Sequence, residues 1–158
     1  MVDTQSPKTG DMGASLGKLE TTLEEYLVKK APFAIPTGIK DFIVMIAPWF
    51  TLIGVIMSIP AVLVVFGLGA IVAPMAFLGG AQAGAAFSLS IIFLIITLVL
   101  NALAIPGLFK RLRSGWNFVF YATLVGVVQN IIVFNLGGLI IGSVIGLYVL
   151  FQVKERYK

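Results

Sequence analysis

Hydrophobic and polar positions separate along this chain into long blocks. From Phe42 to Phe109, and again from Ser114 to Val153, no residue is charged; every Lys, Arg, Asp and Glu falls within residues 3–41, 110–113 or 154–158. A water-soluble surface needs charge somewhere in stretches this long, whereas a bilayer core about 30 Å thick asks for roughly 20 apolar residues per helical crossing. The first block has room for two or three crossings and the second for two. Its finer punctuation predicts a first span over 42–65, kinked at Pro48 and Pro60, and an uninterrupted span over 88–105. Between them, residues 67–86 hold Gly67, Gly69, Pro74, Gly79, Gly80, Gln82 and Gly84, too many breakers for one good span, and read as a short, shallow or re-entrant outer element. The second block divides at Asn135-Leu136-Gly137-Gly138 into spans over 116–134 and 136–153.

Charge parity chooses the number of crossings. Lys29, Lys30 and Lys40 precede the first block, Lys110, Arg111 and Arg113 separate the two, and Lys154, Arg156 and Lys158 follow. The positive-inside bias places all three groups in the cytoplasm, so an even number of crossings lies between neighbours. The expected fold is therefore an all-α bundle of four transmembrane helices over 40–153, with five as the alternative if 61–78 also crosses. Both termini are expected to be cytoplasmic.

The remaining residues form the cytoplasmic side. Residues 1–13 are polar and turn-rich, a mobile tail without the apolar core of a signal peptide. Residues 14–39 read as an amphipathic helix over 14–30 followed by a proline-rich linker. Leu16, Leu19, Leu23, Tyr26 and Leu27 recur at steps of three and four, with Lys18, Glu20, Glu24, Lys29 and Lys30 between them. Thr21 with Glu24 and Thr22 with Glu25 fit capping boxes, and Glu25 with Lys29 fits an i,i+4 ion pair. The apolar stripe has two destinations: the membrane interface and cytoplasmic ends of the spans, or a like helix of another subunit, because 16, 19, 23 and 26 also fit a heptad. Pro32, Pro36 and Gly38 break the helix, and Thr37 is placed to cap the next one. Residues 154–158 are a basic tail.

Composition narrows the chemistry. The chain is 59% hydrophobic with a net charge of +4, and its mean hydropathy is +1.04. Basic residues flanking spans hold to anionic lipid, which explains the positive charge without nucleic acid. The chain has no cysteine and no histidine, which removes disulfides, thiol chemistry and the usual zinc and haem ligands. No ionisable residue lies within the spans, where proton relays, ion-coupled carriers and intramembrane hydrolases keep theirs. The expectation is a non-enzymatic protein with no catalytic, metal or cofactor residues.

The polar residues inside the spans are amides and hydroxyls. Gln129 and Asn130 sit deep in the third span, where carboxamides usually bond between helices; with Asn101 they would alternatively line a polar path. Gly138, Gly142 and Gly146 repeat every four residues on the last span, and Ala122 and Gly126 do so on the third. Small residues let helix backbones approach closely, either within the hairpin or against a partner. The loop Pro106-Gly107-Leu108-Phe109-Lys110-Arg111-Leu112-Arg113-Ser114-Gly115-Trp116 combines base and aromatic. Lys110, Arg111, Arg113 and Trp116 are the residues expected against lipid headgroups.

That loop and the ending Gly146-Leu147-Tyr148-Val149-Leu150-Phe151-Gln152-Val153-Lys154-Glu155-Arg156-Tyr157-Lys158 resemble small uncharacterised bacterial multi-pass integral membrane proteins. Those proteins carry Gly-Leu-Phe-Lys-Arg before a Gly-Trp, and a last span running into Leu-Tyr-x-Leu-Phe-Gln-Val and basic residues. Lys29-Lys30-Ala31-Pro32-Phe33 and Ala47-Pro48-Trp49 are similar in kind. The resemblance implies a bacterial inner membrane and a compact helical bundle, and brings no catalytic or binding residues. The functional expectation is a scaffold or accessory subunit of a membrane assembly, as a homo-oligomer or with a larger partner. The alternative is a small oligomeric channel or passive transporter.

Overall fold

A computed structural model describes residues 9–158, and among these the regular structure is helical throughout. The first helix, α1, spans Thr9–Glu24 and ends in a π-helical turn over Glu25–Lys29. It thus starts ahead of residue 14, inside the stretch expected to be a mobile tail, whose first eight residues lie outside the described ones. Because the helix is already running, Thr21 and Thr22 do not cap it; their hydroxyls donate to the carbonyls of Gly17 and Lys18, each at 2.9 Å. The wider π-turn carries Lys30, rather than Lys29, under Glu25 at 2.9 Å. At the next helix Pro36 takes the N-cap position, its carbonyl receiving the amides of Ile39 and Lys40, each at 3.0 Å, and Thr37 is the first helical residue.

Helix α2 runs unbroken from Thr37 to Leu78, and α3 from Ala81 to Phe109. This overturns the expected division at 67–86: the glycine-rich segment is the tip of one long helical hairpin. Three prolines lie inside α2 and none ends it. In an apolar medium no water competes for backbone groups, so the helix is the cheapest state even for glycine and proline. The chain reverses only at Gly79-Gly80, where Gly80 takes a φ of 104° that side chains disfavour. Phe77 then folds its ring into the space over Gly84, where a Cβ would lie 2.3 Å from it.

A turn with Arg111 at φ 52° leads into α4, Arg113–Ile132. The shorter α5, Gly138–Gln152, opens in π geometry over Gly138–Val144 and closes as α-helix over Ile145–Gln152. Three helices, α2, α3 and α4, are long and apolar enough to cross a membrane; α5 is shorter than that measure.

The helices pack in chain order, α2 on α3, α3 on α4 and α4 on α5. Trp49 meets Phe109 edge-on at 5.3 Å, setting the register of α2 on α3. The closest approach is at Gly107 and Gly115, where a Cβ on Gly107 would lie 2.5 Å from the Gly115 nitrogen. From that crossing α3 runs back to Ala81 and α4 forward only to Ile132. The α2–α3 hairpin therefore overreaches α4 by about 13 Å at 1.5 Å per residue.

The core sits at the charged end. Trp116, Phe120 and Phe151 are all but fully buried, stacked or edge-on at 5.3–5.5 Å, and the Trp116 indole donates to the Leu150 carbonyl at 2.8 Å. Val44 and Tyr157 close the cluster. At the far end the hairpins diverge, and Phe66, Met75, Leu78 and Phe134 are exposed.

Candidate functional site

Above the core, α2 and α5 stand apart and leave a groove whose floor is α3 and α4. Its lower part, about 390 Å³, lies between Ala47 and Thr51 on one wall and Gly146 and Val149 on the other. Thr51 continues into a space of about 290 Å³ against α3, with Gly54, Ser58, Thr97 and Asn101. Thr97 and Asn101 also border a third space, of about 270 Å³, with Thr123, Gly126, Asn130, Gly142 and Ser143. Shared residues make the three one groove. Ala47, Thr51, Gly54 and Ser58 lie at steps of three and four, so α2 offers one small-residue face along its wall.

The glycines expected to pack helices inside the chain do something else. A Cβ on Gly126, Gly142 or Gly146 would meet nothing within 4 Å. These three line the groove rather than a helix contact, which corrects their reading as packing within the hairpin. Gly138 is tight, its Cβ position lying 2.5 Å from the Asn130 carboxamide oxygen, and Ala122 is buried. The closest contact of α3 with α4, Gly107 on Gly115, went unnoticed in the sequence because the two glycines fall in different helices. Their eight-residue symmetry about the basic turn is the signal that could have found them.

Asn101 and Asn130 border one cavity, joined by Thr97, Thr123 and Ser143, whereas Gln129 is not among its lining residues. Among the described residues neither Gln129 nor Asn130 makes a side-chain hydrogen bond to another helix. Four donors of the groove bond along their own helices: Thr51 on Ala47, Ser58 on Val55, Asn101 on Thr97 and Thr123 on Val119. The Thr97 hydroxyl is buried without a partner. The groove thus presents unpaired polar groups, donors as well as acceptors, in an apolar wall. Toward the charged end its lining reaches Val153 and Tyr157.

The expected headgroup residues separate. Lys110 and Arg111 are exposed. Trp116 is fully buried, which corrects its reading as an interfacial anchor: the indole N–H finds its acceptor inside, on α5. Arg113 lies over the Trp116 ring at 4.5 Å and pairs with Glu20 of α1 at 2.5 Å. The stripe of α1 packs on the charged end through Leu23, Leu27 and Val28, while Leu19 and Tyr26 are exposed.

No protein-family model, curated protein or solved structure matches this chain.

Proposed function

We propose that the chain is a non-enzymatic, multi-pass integral protein of a bacterial inner membrane, with both termini cytoplasmic, that serves as a scaffold or accessory subunit by receiving a transmembrane helix in the α2–α5 groove. The observation that carries this reading is the state of α2. Its most apolar 18-residue window is 0% buried, although the same helix is anchored in the core through Val44. A helix held at its foot, with an open small-residue face opposite the open glycines of α5, has the form that a close-packing helix fills. The position of Lys40, Lys110, Arg111, Arg113, Lys154 and Arg156 at the ends of the long helices, on the side of the α1 seat, supports the orientation.

The test is native mass and crosslinking capture from the source membrane, comparing wild type with Gly54→Leu and Gly142→Leu. Both substitutions fill the groove without touching the core, so loss of a co-purifying chain or of a homo-oligomer is expected at unchanged thermal stability. Association unaffected by both would sink the proposal.

Convergence of Asn101, Asn130, Thr97, Thr123 and Ser143 favours a second reading, an oligomeric channel or passive transporter. The burial of Val153 and Tyr157 at the foot of the groove weighs against a path through one chain, so a conduit would need several copies. Solute flux in liposomes no greater than in empty ones would dispose of it.

A further inference from the structure

The seat of α1 on the charged end has a composition unlike an ordinary helix contact. Arg113 and Lys154 stand on an aromatic floor: Arg113 over Trp116 at 4.5 Å, Lys154 at 5.5 Å from Trp116 and 5.6 Å from Phe151. The Lys154 side chain is only 13% exposed. Both cations are covered by carboxylates of α1. Glu20 pairs with Arg113 at 2.5 Å and with Lys154 at 3.0 Å, and Glu24 closes on Lys154 from the other side.

Gln152 adds an observation of another kind. It is 2% exposed, its amide donates to the Leu27 carbonyl of α1 at 3.0 Å, and its carbonyl oxygen has no partner. That donor role fixes which end of the carboxamide is oxygen. The side chain borders a cavity of about 170 Å³ shared with Arg113, Lys154 and Glu24. A buried acceptor without a donor is costly, and the cavity is where a donor would come from.

We propose that this seat is a binding site for a phosphate ester carrying a hydroxyl, and that Glu20 and Glu24 of α1 occupy it as an internal substitute for that anion. The phosphate accepts from Arg113 and Lys154 in place of the two carboxylates. Its hydroxyl donates to the Gln152 oxygen, and the Gln152 amide, freed from Leu27, donates to the phosphate. The exchange lifts Leu23, Leu27 and Val28, each only partly buried, off the core they pack against, while residues 12–15 are already exposed. At the membrane surface the chemistry is that of a phosphatidylglycerol headgroup; in solution it is that of glycerol phosphate. The site is independent of the α2–α5 groove.

The chain has no cysteine, so Thr22→Cys with Leu112→Cys gives one spin-label pair across the seat. Distances are measured in phosphatidylcholine vesicles, in vesicles containing phosphatidylglycerol, and in phosphatidylcholine with added glycerol phosphate, at matched ionic strength. A longer-distance population with phosphatidylglycerol alone assigns the site to lipid, with glycerol phosphate alone to a soluble ester, and with both to the shared chemistry; no change with either overturns the proposal. Unlabelled Glu20→Gln/Glu24→Gln is expected to retain more phosphatidylglycerol in native mass spectrometry than wild type. Arg113→Gln/Lys154→Gln in that background is expected to lose the gain, with unchanged Trp emission reporting an intact core. Equal retention by wild type and the double Gln variant also overturns the proposal.

Discussion

Alanine at Gly107 or Gly115 and alanine at the groove glycines should act in opposite directions. A Cβ on Gly107 would lie 2.5 Å and 2.6 Å from the Gly115 nitrogen and Cα, and one on Gly115 would lie 2.4 Å from the Gly107 carbonyl carbon and the Leu108 nitrogen. Ordinary contact begins at 3.4 Å, so the helices must separate by about 1 Å at a backbone crossing with no side chain to turn aside. Overpacking of this kind costs about 1–3 kcal/mol. Replacing glycine by alanine inside a helix returns about 0.5–1 kcal/mol. The clash wins at the centre of both ranges: each variant should lose about 1 kcal/mol net, within about 0–2.5 by difference of the extremes. At Gly126, Gly142 and Gly146 a Cβ meets nothing within 4 Å, so only the gain remains and each variant should be neutral or stabilised by up to about 1 kcal/mol. Gly138→Ala falls between, because the atoms in its way are the movable ends of Asn130 and Asn135. Thermal unfolding in detergent, followed by circular dichroism with the combined emission of Trp49 and Trp116 as a second probe, measures all six. Equal losses at Gly115 and Gly142 would show that the open glycines are packed after all, and the groove would fall with them.

Trp116→Phe removes the donor to the Leu150 carbonyl and part of the ring stack, and is expected to cost about 1–3 kcal/mol in the same melts. Burial raises the Tyr157 hydroxyl above its ordinary 10.0, so its contribution to stability is whole below that value and lost as pH climbs through the raised one; Tyr157→Phe should remove this alkaline loss. The hydrogen bond and charge of Lys40 hold the Glu155 carboxyl below its ordinary 4.5. Its contribution is present above that value and fades as pH falls through the lowered one. Because Glu155 is exposed, Glu155→Gln should flatten the acid limb of a pH–stability curve only slightly.

The charge map made the architecture legible, and the helix breakers misled. Because the bases group at Lys40, at 110–113 and at 154–158, the helix ends carrying them were expected together, and the ion pairs Lys40–Glu155 and Asp41–Arg156 join two of those groups. The segment 67–86 was misread because glycine and proline were weighed as they act in water. A repeat of glycines on α4 and α5 says only that backbones can approach, not that they do. Whether Gly142 meets a neighbour depends on how far α2 and α5 diverge, which is set by the bulk of Trp116, Phe120 and Phe151 far along the chain. Trp116 followed a statistical habit of tryptophan at interfaces; its burial depends on an acceptor, the Leu150 carbonyl, more than thirty residues away.

The distribution of packing along the helices bears on how such a groove survives without an occupant. In water an exposed face like that of α2 would be driven closed by the hydrophobic effect. In lipid that drive is absent, since acyl chains solvate Ile53 and Ile56 as well as another helix would. What keeps α2 and α5 apart is therefore local: Val44 at the foot of α2, the aromatic cluster against α5, and the ion pairs of Lys40 and Asp41 to the C-terminal turn. The C-terminal residue extends the clamp, its amide donating to the Arg111 carbonyl at 2.9 Å and its carbonyl receiving the Arg113 amide at 2.5 Å. Rigidity is thus concentrated at the charged end and openness at the other. A helix entering the groove would meet walls already spaced, and the polar floor at Asn101 and Thr97 would favour a helix that brings a polar side chain.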